Sequence, residues 1–257
     1  MKERYQVMSG AEAFYFEGNE IGILLSHGFI GTPQSVRFLG ESLAAKGFTV
    51  LAPRLKGHGT HYLDMEKCTH EDWYESFKQG YRALKAHGKR VFVMGQSMGG
   101  TLTLKLASEY EGIEGIITIN AALTIPELEY LKKTPAPRFI KEGAPDIKAQ
   151  NVEEITYDKA PVQAIRELQS LMVEIPSKLP NVKAPALCIK SFIDHVVPPE
   201  NTTFIYKYIS SKNKQLVTLP NSYHVASMDN DKEMIVEHAT RFIWKHATSI
   251  QSYANIK

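Results

Sequence analysis

The sequence predicts an α/β fold, a mostly parallel central sheet with helices on both faces and a small cap insertion. Three observations predict it. Apolar runs at 21–25, 91–94, 116–119 and 184–190 are continuous, not alternating, as expected of strands covered on both faces. Between them lie stripes at helical spacing: Val36, Leu39, Gly40, Leu43, then Trp73, Phe77, Tyr81, Leu84. Finally, Gly95-Gln96-Ser97-Met98-Gly99 follows a strand and runs directly into Thr101-Leu102-Thr103-Leu104-Lys105-Leu106-Ala107, read as a helix. Alternation of this kind over 257 residues fits one domain, 1–257.

Composition excludes several classes. The apolar and charged fractions, 43% and 23%, are those of an ordinary globular chain. A net charge of +2 gives no footprint for nucleic acid or an anionic membrane. No run of about 18 apolar residues offers a membrane span, and residues 1–10 lack the apolar stretch of a secretory signal. The 2 cysteines, Cys68 and Cys188, are read as free thiols of a reducing cytoplasm.

Taken in order, the strand at 21–25 runs into Ser26-His27-Gly28-Phe29. Gly28 lets the backbone pass close to a neighbour, and His27 is read as a brace for the turn. The next strand, 48–53, ends in Arg54-Leu55-Lys56-Gly57-His58-Gly59-Thr60-His61. Its histidines have no carboxylate or cysteine at ligand spacing and no phosphate-loop lysine, so no metal and no cofactor is expected.

The Gly-x-Ser-x-Gly turn carries the chemistry. A serine on a sharp strand-to-helix turn is exposed in a strained conformation, and neighbours without Cβ let the chain double back. Helix amides beginning at Met98 then point at any negative charge forming beside Ser97. A nucleophilic serine needs a base, and the base needs an acid to fix its tautomer. With this turn the chain order is serine, acid, histidine. Asp194 leaves the strand 184–190, and His224 follows the strand 216–219, so these two complete the set. His195 precedes that last strand and is read as a loop residue. Asp229 and Asp231 come after His224, out of order, and are read as caps of the last helix, whose stripe is Ile235, Ala239, Phe242, Ile243. The polar tail from Thr248 is expected to fray.

Between 121 and 180 the alternation breaks. Pro126, Pro135, Pro137, Pro145, Pro161, Pro176 and Pro180 fall here, out of 13 prolines in all. Such density predicts short helices and turns, with one helix at Val162, Ile165, Leu168, Met172. This insertion is read as a cap over the ligand edge of the sheet. Leu123, Ile125, Leu128, Phe139, Ile140 and Leu171 are its apolar contribution. Glu127, Glu129, Lys132, Lys133, Glu153 and Glu154 are expected on its solvated face.

These motifs together resemble the serine esterases of the α/β-hydrolase superfamily, and closely the small bacterial monoacylglycerol lipases and carboxylesterases. The match rests on His27-Gly28-Phe29, the 54–61 loop, Gly95 to Gly100, Asn120-Ala121-Ala122, Asp194 to Pro199 and Asn221-Ser222-Tyr223-His224, which span nearly the whole chain in order. Ser191 stands where many members carry glycine. The resemblance implies an α/β-hydrolase fold and hydrolysis of short-to-medium-chain monoesters, monoacylglycerols included. It implies Ser97, Asp194 and His224 as the triad, with the Phe29 and Met98 amides as the oxyanion hole. The expected partner is a small-molecule ester, with no nucleic acid and no stable membrane insertion. Serine aminopeptidase or acyltransferase chemistry on the same triad, or a non-catalytic ligand-binding role, are the alternatives; Glu127 or Glu142 could receive a free amino terminus.

Overall fold

The computed structural model describes residues 2–132 and 135–254. Among the described residues nine strands form in chain order: β1 Phe14–Phe16, β2 Ile21–Ser26, β3 Thr49–Ala52, β4 Arg90–Gln96, β5 Gly115–Ile119, β6 Phe139–Lys141, β7 Lys159–Pro161, β8 Ala186–Ser191 and β9 Lys214–Leu219. Seven of them make one sheet in the order β1-β3-β2-β4-β5-β8-β9. All its pairings are parallel except β1 with β3. Every residue of β2 and β5 is buried, which is why these strands read as unbroken apolar runs. At the edge, β9 alternates, and only its last residue is fully covered.

Among the described residues seven α-helices accompany the strands: α1 Arg37–Ala44, α2 Tyr62–Met65, α3 His70–Ala86, α4 Met98–Glu109, α5 Val162–Lys178, α6 Glu200–Tyr208 and α7 Lys232–Ala254. Helix α3 opens with a capping box, in which Thr69 and Asp72 each accept the other's backbone N–H, and it buries Trp73, Phe77 and Leu84. Two apolar cores result. Helices α3, α4 and α5 close one face over Val91, Val93 and Cys188, and α1 and α7 close the other over Phe92, Met94 and Leu187. Alternate residues of β4 thus feed opposite cores, as the twofold strand period requires.

The segment between β5 and β8 departs from the expectation of short elements. It holds a 3₁₀ turn, Pro126–Lys132, the two-stranded antiparallel pair β6–β7, and α5, which runs 17 residues. Pro161 sits at the N-cap of α5, where no amide is needed, and Pro176 falls in the closing turns. A buried stripe of Ile165, Leu168, Leu171, Met172 and Ile175 holds that helix against the core despite the proline. Tertiary burial outweighed local propensity. Lys133, named among the surface charges, lies outside the described residues, as do 255–257 of the tail. From 248 to 254 the backbone continues α7 where fraying was expected. Among the described residues no helix is long and apolar enough to cross a membrane.

Candidate active site

Ser97 sits between β4 and α4 with φ 55° and ψ −121°, a left-handed conformation that a side chain adopts only under constraint. The chain crosses itself here too closely for any side chain on either flank. A Cβ on Gly95 would lie 2.1 Å from the Gly99 carbonyl oxygen, and one on Gly99 would lie 2.5 Å from that of Ser26. Four hydrogen bonds hold the turn. Ser97 N–H donates to the Ile119 carbonyl at 2.9 Å, while the Ser97 carbonyl accepts from Thr101 N–H at 3.1 Å, Thr101 Oγ1 at 3.2 Å and Ala122 N–H at 3.3 Å.

The structure brings Ser97, His224 and Asp194 together in a chain. His224 Nε2 is 2.9 Å from Ser97 Oγ, and His224 Nδ1 is 2.8 Å from Asp194 Oδ2. Asp194 is held in turn, its Oδ1 accepting the amides of Val196 at 2.9 Å and Val197 at 2.8 Å. Both ends are sheltered: side-chain exposure is 1% for Asp194 and 9% for His224. An acid that accepts from Nδ1–H leaves Nε2 unprotonated and able to take the serine proton.

Met98 is the first residue of α4, so its amide is one of the unpaired donors of a helix N-terminus. The turn through Gly28 and Phe29 lies against the serine, with a Cβ on Gly28 reaching 3.3 Å from Ser97 Cβ. Phe29 packs edge-on against Trp73 and His58, at 5.7 and 6.4 Å between ring centres. His27 braces this turn, as its sequence context indicated. Leu55 N–H donates to its Nε2 at 3.3 Å, so Nδ1 carries the proton and donates to the Gly28 carbonyl at 2.9 Å. Full burial favours the neutral ring and pushes its pKa down to about 4, with Arg54 adding to the effect and the Gly28 bond opposing it. His58 is displaced downward as well, by burial and by His27 beside it.

A cavity of about 340 Å³ opens onto Ser97 and His224. Ile125, Leu128, Ile140, Ala160, Ile165 and Leu168 of the inserted segment form its apolar wall. Leu123, Phe139 and Leu171 do not reach it: Leu123 and Leu171 pack in the core, and Phe139 stacks edge-on against Tyr62. Glu154, expected on the outer face, turns inward instead and lines the cavity with Glu142 and Glu127. Burial raises the Glu154 carboxyl to about 7, Glu142 pushes in the same direction, and His224 and Ser35 pull it back. Glu142 is itself raised by burial. Sequence offered no signal for this, because a Glu-Glu pair in a proline-rich segment reads as solvated.

Other polar groups hold the loops, in roles that their sequence context did not show. Asn120, with φ 46°, donates from Nδ2 to Ser191 Oγ at 2.9 Å and to the His224 carbonyl at 2.9 Å, and its Oδ1 accepts Ser191 N–H at 2.7 Å. Ser191 uses the hydroxyl that a glycine would lack, donating to the Tyr223 carbonyl at 2.7 Å. Asp229 and Asp231 are not side-chain caps of α7. Asp229 accepts the amides of Tyr223, Lys148, Ala149 and Asn230, all within 2.9 Å, and Asp231 accepts Asn221 N–H at 2.7 Å and the Ser222 hydroxyl at 2.9 Å. His195 is an exposed loop residue whose Nδ1 lies 2.7 Å from Asp146 Oδ1.

Known proteins match this chain along most of its length. The profile of the hydrolase family described as serine aminopeptidase, S33, matches residues 20–231. A thermostable monoacylglycerol lipase of Bacillus sp. (strain H-257) is 47% identical over 249 residues, 96% of this chain and 100% of that protein. A carboxylesterase of Bacillus subtilis (strain 168) is 29% identical over 236 residues, 90% of this chain and 96% of that protein. Among solved structures, one reported with the metagenome-derived lipolytic enzymes LipS and LipT superposes with a TM-score of 0.91 at 46% identity, covering 94% of this chain and 100% of the other. The monoacylglycerol lipase of Paleococcus ferrophilus shares the fold at a TM-score of 0.75 and 18% identity, covering 91% and 98%.

The buried His27 sets a pH dependence of stability. Its folded value, about 4, lies below the usual 6.5, so the unfolded chain binds more protons between the two. Stability from this residue is therefore complete above about pH 6.5 and declines as pH falls toward 4, by roughly 3 kcal/mol at the limit. Thermal melts of the native protein and His27→Gln from pH 7 to pH 4 should show a shallower loss in the variant. Parallel pH slopes would refute the assignment.

Proposed function

The chain belongs to the serine aminopeptidase, S33, family of hydrolases, and from that membership and its cavity we infer a serine carboxylic-ester hydrolase acting on monoesters, monoacylglycerols among them. The observation that carries this reading is the unbroken Ser97–His224–Asp194 contact chain opening onto a largely apolar cavity. Ser97 Oγ attacks the ester carbonyl while His224 Nε2 takes its proton, and Asp194 stabilises the imidazolium. The amides of Met98 and Phe29 receive the oxyanion, aided by the orientation of α4. His224 then returns the proton to the leaving alcohol. A water, activated by the same imidazole, hydrolyses the acyl-enzyme.

Residues 121–180 serve as the cap. Their apolar side chains take the acyl chain, and the carboxyls of Glu154, Glu142 and Glu127 are the polar groups available to a hydroxylated alcohol. At about 340 Å³ the cavity is near the lower end of ligand clefts, which suits one acyl chain. The cytoplasm is the proposed compartment, on two free, buried cysteines. The same acids favour a second reading: carboxylates beside a serine triad can hold a free ammonium, as aminopeptidase chemistry needs.

Fluorophosphonate labelling and ester turnover test the triad. Ser97→Ala should abolish labelling and lower kcat by several orders of magnitude, since nucleophile and base act as a unit. Asp194→Asn should fold yet lose on the order of 10⁴ in kcat, because the wrong tautomer is favoured. Near-normal turnover by Asp194→Asn would assign the acid elsewhere.

Substrate series separate the two readings. Each buried methylene contributes roughly 0.8 kcal/mol, so kcat/KM should climb with acyl length and stop once the chain outgrows the cavity. Monoacylglycerol should far exceed triacylglycerol of equal chain length. A triacyl preference refutes the cap assignment, and faster cleavage of an aminoacyl amide than of any ester favours the peptidase.

A further inference from the structure

Building on the triad reading, we propose that Asp146, carried by the inserted segment, is a positioning residue that sets the spacing of the Asp194 and His224 loops. One carboxylate spans both. Asp146 Oδ2 accepts the amide of His224 at 3.1 Å and that of His195, the neighbour of Asp194, also at 3.1 Å. Its Oδ1 faces His195 Nδ1 at 2.7 Å, and its own carbonyl accepts Val225 N–H at 3.1 Å. Its side chain is only 15% exposed. A single oxygen shared by two amides fixes their separation far more tightly than two independent contacts would. Those amides belong to the base and to the residue after the acid, so the same oxygen governs the 2.8 Å contact between His224 Nδ1 and Asp194 Oδ2.

The surrounding contacts make this a rigid unit. Asp229 accepts Lys148 N–H and Tyr223 N–H at 2.8 Å each on the same oxygen, and Ala149 N–H at 2.9 Å on the other. Lys148 Nζ donates to Asn221 Oδ1 at 2.7 Å. His195 packs edge-on against Tyr223, 4.6 Å between ring centres. Residues 146–149 and 221–225 are thereby cross-linked on both sides of His224, and the inserted segment cannot shift without moving the imidazole relative to Ser97. Asp146 touches the cavity, but both of its oxygens are engaged by the loops. Its loss therefore removes alignment and no acceptor for the ester, and a displacement near 1 Å at a reacting group can cost about a hundredfold in rate.

The test measures kcat per site titrated with a fluorophosphonate, together with KM for a monoester and Tm. Asp146→Ala should lower kcat about tenfold to a hundredfold with KM within about threefold of the native value. Asp146→Asn should restore kcat to within about threefold, because its carbonyl oxygen can accept both amides in place of Oδ2. Should the alanine variant not fold, Asp146→Ser takes its place, since the short hydroxyl cannot span both amides, and the same loss of kcat is expected. Unchanged kcat in Asp146→Ala, or a loss as large in Asp146→Asn, overturns the proposal; a lowered Tm with native kcat per site assigns only a structural role. Native protein that takes no label overturns the triad reading itself, and this inference with it.

Discussion

The left-handed backbone at Ser97 is the constraint around which the rest is arranged. Such a conformation costs of order 1–3 kcal/mol and persists only where the surroundings impose it. Here they do so from three sides: the Ile119 carbonyl takes the amide, Thr101 and Ala122 take the carbonyl, and β2 leaves room only for glycine at position 99. Because β4 is the central strand, paired to β2 and β5 along its length, the turn cannot relax by moving the strand. The strained residue is thus the sharpest corner of the most rigid element. Its hydroxyl is delivered to the cavity at the cost of backbone energy that burial across two cores supplies.

His224 and Asp194 lie on loops, which have no ladder to hold them. Side chains do that work instead. Asn120 fastens β5 to the loops after β8 and β9, Asp229 and Asp231 gather the amides before His224, and Asp146 reaches in from the inserted segment. These carboxylates are at least half-buried, and each accepts two or more N–H or O–H donors, the condition under which a buried charge is tolerated. The same economy appears in the turn beside Ser97, where a neutral His27 uses one ring nitrogen as donor and the other as acceptor.

The cavity is electrostatically mixed. Its wall is largely aliphatic, yet three glutamates face it, and burial raises the Glu154 carboxyl to about 7. A carboxyl able to donate as well as accept beside an apolar channel fits a substrate with one fatty and one hydroxylated end. A fully ionised cluster would instead select cations. The balance between these states is set by enclosure, not by residue type.

Local information in the sequence was enough for the parallel strands of the sheet, the turn at Ser97 and the order along the chain of the three residues that meet there. Continuous apolar runs announce doubly covered strands because burial on both faces removes the need for alternation, and Gly-x-Ser-x-Gly can be recognised because the close crossing leaves no other residue possible at positions 95 and 99. The short antiparallel strands β1, β6 and β7 were not legible, since three residues carry too little periodicity to register. Nor was the length of α5, where proline density argued for a break that buried packing overrode. What only the tertiary structure decided was the use of the remaining polar residues. Asp146, Asp229 and Glu154 look alike along the chain, as acids in loops. Contacts across some eighty positions, such as Asp146 with the His224 amide, make one a clamp and another a scaffold, and enclosure makes the third a part of the cavity wall with a raised pKa. Sequence pattern reports which groups must be hidden from water, and it says nothing of which distant amide a given carboxylate will meet.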